Sequence, residues 1–197
     1  MIHETVVTTV SKLGTPHIAP MGVRFEDGNV ILMPFRPSAT YDNIAVTGCA
    51  VVNFTTDVRV FAGCVTGRRE WPTVPVHEVQ CVRLAGALAH AELRLTHASD
   101  DPIRPVLTME RVAQDVHGPF AGFNRAQAAA IEGAVLVSRL HLLSREKVET
   151  EIAYLRIAID KTAGPEEHEA WQWLIAAIAA YYEHDKHHER ACMRESS

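Results

Sequence analysis

Four residues with anion-binding chemistry fall within eight positions: Arg36, Ser38, Thr40 and Asn43. A guanidinium supplies charge and a fork of donors, two hydroxyls add short hydrogen bonds, and an asparagine amide can brace the loop that carries them. Pro37 suits the first turn of a helix, and Ser38, Thr40 and Asn43 suit the region where a helix begins. The first amides of a helix have no internal acceptor, so such a segment can close over a phosphate or carboxylate. The same residues also fit a plain connecting helix with a solvated arginine. Lysine sharpens the point: only Lys12, Lys147, Lys161 and Lys186 occur, none of them between 13 and 146. An anion held in that span therefore depends on arginine, hydroxyls and backbone amides.

Other candidates carry less. His184, His188 and Cys192 follow an i, i+4, i+8 spacing, but the outer two stand about 12 Å apart along a helix, too far for one tetrahedral site. A solvated tail explains them, and no metal is expected. Arg68, Arg69 and Glu70 beside Trp71 read equally as a substrate-facing lid or as a solvated loop. Arg59, between Val58 and Val60 in a strand-like run, must face solvent, a partner chain or a ligand. Met21 and Met33 suit core or pocket lining. There is no Gly-x-Gly-x-x-Gly turn, no Walker loop and no Gly-x-Ser-x-Gly elbow, and no nucleophile with a paired base near Arg36. That inventory suits a protein whose bound phosphorylated cofactor supplies the electron chemistry.

The elements that must position these residues begin as strands. Thr5–Ser11, His17–Phe25 and Val30–Pro34 are β-rich runs separated by the turns at Gly14 and Gly28, an antiparallel meander. The segment 33–48 is the first long connection out of it. Cys49–Thr55 and Val58–Val65 read as further strands, 67–72 as irregular, and 79–96 as one long strand or two bent ones. Residues 104–117 read as strand, with a short helix as competitor. Many strands before any clear helix indicate a barrel or sandwich. After Gly118 the pattern turns helical: Asn124 caps a helix to about Leu143 with small residues at Ala126, Ala130, Gly133 and Ala134, Ser144 caps the next, and Pro165 opens a last one. The expected organisation is a strand-rich domain over 1–120 and a three-helix subdomain over 121–192, packed on it.

Composition agrees with a globular protein: 197 residues, 47% hydrophobic and 22% charged. A net charge of -5 argues against a nucleic-acid binder. The apolar runs are too short or too interrupted to span a membrane, and the start lacks a signal-like segment. Four scattered cysteines without a Cys-x-x-Cys pair read as reduced core thiols of a cytoplasmic protein.

Glu4–Val10, Gly14–Val23, Phe35–Ile44, Asn53–Asp57, Phe123–Ala126, Glu132 and Ser138–Leu140 together resemble the DUF447 family of the flavin-reductase-like, FMN-binding split-barrel superfamily. The resemblance implies a mainly β fold, a split β-barrel with a helical C-terminal part, and a homodimer with flavin near the interface. It implies that Arg36, Ser38 and Thr40 hold the FMN phosphate and that Asn43 supports the loop. Ala19, Pro20, Met21 and Gly22 would run beside the isoalloxazine ring through backbone contacts. Asn53, Phe54 and Thr55 would approach the ring or ribityl chain, with Asp57 and Arg59 completing the pocket or dimer contact. Many such barrels place a lysine at the phosphate, and this chain has none there. The implied function is a flavin-dependent oxidoreductase acting on a small molecule, with a link to tetrahydromethanopterin one-carbon metabolism. The alternative is a non-catalytic FMN- or pterin-binding subunit or assembly factor.

Overall fold

A computed structural model describes residues 1–195, with side chains through His184. Its chain forms two compact units: one comprises Met1–Thr56 and Arg69–Gly122, the other Asp57–Arg68 with the chain from Phe123 on.

The first unit is a closed six-stranded barrel. β1 (Ile2–Val10), β2 (Pro16–Glu26) and β3 (Asn29–Leu32) form the expected meander. Gly14 and Gly28 adopt φ of 81° and 84° in its turns, a region costly for any side chain. Helix α1 (Ala39–Thr47) connects to β4 (Cys49–Phe54), through Gly48 in the left-handed conformation at its end. β5 (Thr73–Pro75) and β6 (Val82–Leu84) make a separate two-stranded ribbon. β7 (Ala89–Ala98) and β8 (Leu107–Val116) complete the barrel in the order β1-β2-β3-β8-β7-β4. The strand reading of 104–117 therefore holds, and so does the barrel. Its interior is filled by Val7, Val23, Val30, Leu32, Ile44, Ala50, Val52, Ala91, Leu93, Leu107 and Met109.

Alternation sends Cys49, Val51 and Asn53 to the outer face of β4, and the segment 72–87 runs across that face as a strap. Polar groups fasten it. The Leu84 amide donates to Asn53 Oδ1 (2.7 Å), Thr8 Oγ1 donates to the Val82 carbonyl, and the buried Glu92 carboxylate accepts from the amides of His77, Glu78 and Val79 at 3.2, 2.7 and 3.0 Å.

The second unit is helical. Val58–Val65 is helix α2, not the strand its valines suggest. Asp57 caps it by accepting the Arg59 amide, and Val58, Val60, Phe61, Ala62 and Cys64 are buried, so tertiary burial overrides β propensity. Helix α3 (Arg125–Ser138) is capped by Asn124, which accepts from the amides of Ala126 and Gln127. It ends earlier than the predicted Leu143, giving way to a 3-10 turn at Leu140–Leu142. Helix α4 (Arg145–Thr162) is capped by Ser144, and α5 (Pro165–Glu195) follows. A Cβ at Gly133 would stand 3.0 Å from Leu174 Cδ1 and 3.2 Å from Trp171 Cζ3, so the glycine allows α3 and α5 to approach closely. Among the described residues no helix is long and apolar enough to cross a membrane.

Candidate functional site

The site is built on the amino-terminal end of α1. Ser38 is extended, and its Oγ accepts the Tyr41 amide at 3.2 Å, so its hydroxyl proton remains available to an acceptor. Pro37 follows a cis peptide bond and stands ahead of the helix rather than in its first turn, the position the sequence suggests. The amides of Ala39 and Thr40 have no residue of the same helix behind them to accept their protons. Thr40 is 3% exposed, and its hydroxyl has no hydrogen-bond partner among the described residues.

Arg36 is exposed. Its guanidinium lies 4.9 Å from the Tyr41 ring centroid, and no carboxylate pairs with it among the described residues. Its amide donates to the Ile103 carbonyl (2.8 Å), which ties the segment to the β7–β8 connection. There Asp101 Oδ1 accepts from the amides of Ile103 and Arg104, and Arg104 packs 5.1 Å from the Phe35 ring. Arg104 is a second cation beside the site that sequence reasoning missed. The Ser99–Pro102 turn signal was its only local trace. Asn43 braces α1 by donating from Nδ2 to Thr9 Oγ1 on β1 (3.0 Å).

The β2 segment lies on an open edge. β2 pairs with β1 from Pro16 to Arg24 but with β3 only from Arg24 to Glu26. Along Ala19, Pro20, Met21 and Gly22, the edge of β2 away from β1 therefore meets no strand. Met21 leans on the barrel core, and its carbonyl accepts from Thr5 Oγ1 (2.9 Å).

The remaining predicted residues have other surroundings. Asn53 is fully buried, and its amide is engaged on both sides: Nδ2 donates to the Val6 carbonyl at 3.0 Å and Oδ1 accepts from Leu84. Phe54 stacks on Phe25 at 6.2 Å, and Thr55 follows it beyond the end of β4. Arg59 belongs to the helical unit. Its Nε and Nη2 reach both oxygens of Asp57 at 2.8 Å, with Glu166 at 2.8 Å and Glu169 at 3.5 Å. Those hydrogen bonds, the Asp57 pair above all, hold its pKa above the ordinary arginine value. His184 stands on α5, but the side chains of His188 and Cys192 lie outside the described residues. Among those described, no cluster of three or more metal-ligating side chains occurs.

Residues 3–118 match the DUF447 N-terminal domain, a protein family of unknown function, and residues 124–176 match its companion DUF447 domain. The chain belongs to the DUF447 family. No curated protein matches it by sequence. Among solved structures, it is similar to the FMN-bound DUF447 protein MM1853 from Methanosarcina mazei. The TM-score is 0.76 at 20% identity, covering 89% of this chain and 94% of that one. The 2-nitrobenzoate 2-nitroreductase NbaA from Pseudomonas fluorescens is similar over 58% of this chain and 64% of its own, with TM-score 0.50 and 20% identity. Flavoredoxin from Methanosarcina acetivorans covers 59% and 69%, with TM-score 0.50 and 15% identity. At these identities the likeness to the solved structures is one of fold alone.

Proposed function

We propose that this DUF447 protein binds FMN and acts as a flavin-dependent oxidoreductase on a small molecule. The observation that carries the reading is the start of α1. An arginine with no carboxylate partner among the described residues, the hydroxyl of Thr40 and the first helical amides converge there, on a fold shared with an FMN-bound relative. That donor set fits a phosphate dianion, since every group in it can donate a hydrogen bond or supply positive charge.

In this reading Arg36, Ser38, Thr40 and the amides of Ala39 and Thr40 hold the phosphate, and Asn43 keeps α1 fixed on β1. The open edge from Ala19 to Gly22 offers backbone groups to the isoalloxazine ring. Phe54 and Thr55 border the ribityl side, with Asn53 holding the end of β4 in place. Arg59, held among carboxylates, would act on the shape of its own surroundings rather than on the phosphate. Bound FMN supplies reversible electron transfer, and the chain's task is to anchor it, orient it and limit solvent at one ring face. The resemblance also brings a homodimer and a pterin of one-carbon metabolism as substrate class. The exposed Ile2, Phe25 and Phe35 offer apolar surface for such a dimer.

Titration of the purified protein with FMN, followed by flavin fluorescence, tests the reading. Saturable binding below tens of micromolar is expected, and its absence removes the proposal. Reduction of the bound flavin by NADH or NADPH then separates an oxidoreductase from a non-catalytic FMN- or pterin-binding subunit.

A further inference from the structure

The strap brings together two cysteines that are far apart in sequence. Cys49 opens β4 on the barrel's outer face, and Cys81 lies on the strap just before β6. Cys49 Sγ stands 3.6 Å from the carbonyl oxygen of Gln80, the residue next to Cys81. Cys81 Sγ stands 3.5 Å from the Thr8 carbonyl on β1. Both side chains sit in one small apolar cluster with Val10, Val51 and Val79, and each thiol acts on the other's ionisation. Neither is in a disulfide. Cys81 also lines an open cleft of about 480 Å³, bordered by Val10, Val76 and Val79, which gives a small oxidant a route to the pair.

We propose that Cys49 and Cys81 are a redox pair: a hydroperoxide converts them to a disulfide that locks the strap onto the barrel. The chemistry of the pair supports this. The neighbouring Cys81 thiol pulls the Cys49 pKa below the ordinary thiol value, against the upward push of burial and with help from Thr47 and the charge of Arg94. The same proximity, with burial, holds Cys81 up as the protonated partner. Cys49 is thus the member that reaches the thiolate first as pH rises, the form that attacks peroxide. Its sulfur takes one peroxide oxygen, the O–O bond breaks, and the hydroxide released leaves as water after protonation. The second sulfur then displaces the sulfenic oxygen, forming the S–S bond as the S–O bond breaks, and a second water leaves. Overall, two thiols give up two electrons and two protons, and hydrogen peroxide is reduced to two waters. The inference is independent of flavin binding.

The test is peptide mapping of the full-length protein under non-reducing conditions after exposure to hydrogen peroxide. The expected result is a Cys49 peptide joined to a Cys81 peptide, with the intact mass lower by about 2 Da. Amide exchange at Val76 and Cys81 should also slow by about tenfold or more once the bond forms. Cys81→Ser should abolish the cross-link and stop Cys49 at its sulfenic or sulfinic acid. The pair is overturned if both cysteines of the wild-type protein are still alkylated after denaturation, are over-oxidised separately, or link to other cysteines. A cross-link that leaves exchange in the strap unchanged overturns the lock. The wild-type map decides the pairing whether or not the variant folds.

Discussion

Arg36 and Thr40 contribute to the start of α1 in different ways, and a pair of substitutions separates them. Arg36 is exposed and its guanidinium rests on Tyr41, so Arg36→Ala leaves the core untouched. If its charge-assisted bonds reach the phosphate, FMN affinity falls by roughly 1.5–3 kcal/mol, a factor of about 10–150. Thr40→Val keeps the shape of a buried residue and removes only the hydroxyl, with an expected loss of about 1 kcal/mol. Both losses are read from the same flavin-fluorescence titration, with circular dichroism to check the fold. Unchanged affinity in both variants would move the phosphate away from α1. Much of the local structure of this candidate site was legible in the sequence because its signals are local. Ser38 caps three residues ahead, Gly48 closes the helix, and the missing lysines leave Arg36 as the nearby cation. Arg104 was not legible, because only the Arg36–Ile103 backbone bond, formed across the fold, brings its loop alongside.

Among the elements, the strap shows most clearly what a sequence hides. Its strands are three residues each, too short for periodicity to register, and they are held by Thr8, Asn53 and Glu92 from distant strands. The barrel meander and the capped helices announce themselves through Gly14, Gly28, Asn124 and Ser144, whereas a buried glutamate on β7 resembles any exposed one. Burial pushes the Glu92 pKa up, but the amides of His77, Glu78 and Val79 outweigh it and hold the carboxyl below its ordinary value. A depressed folded-state pKa stabilises the protein above the unfolded value, and the gain disappears as pH falls through the folded one. Glu92→Gln should therefore be less stable than wild type by roughly 2–4 kcal/mol at pH 7. The part of that gap due to the Glu92 charge should narrow below about pH 4.3 as the wild-type carboxylate protonates. His90, 3.5 Å from Glu92 and pushed down chiefly by burial, stays in both proteins. Because Glu92 raises the His90 pKa, the loss of stability that sets in as pH drops below about 6.5 is larger in the variant, which widens the gap between about pH 6.5 and 4.3. Urea unfolding at a series of pH values measures both limbs. A constant gap at every pH would show that Glu92 is not the strap's charged anchor.

At the scale of the whole molecule, the chain enters the helical unit twice. It leaves the barrel unit after Thr56, forms α2, returns at Arg69, and joins the helices for good after Gly122. The valines of α2 made it resemble a barrel strand because its helical state depends on tertiary partners rather than on propensity. Those partners are α3 and α5, against which α2 packs. A fragment ending at Gly122 therefore retains α2 but lacks the helices that cover it. Val58, Val60 and Phe61, each at most 3% exposed in the intact protein, would then face water. Apolar area of this kind favours association with other chains. The expected outcome is a fragment that binds ANS strongly and elutes in aggregates. The same fragment with residues 57–68 replaced by a glycine–serine linker should lose most of that ANS signal. If the unmodified fragment stays soluble, with a cooperative unfolding transition and no added ANS binding, α2 is self-sufficient and the second unit begins at Phe123 alone.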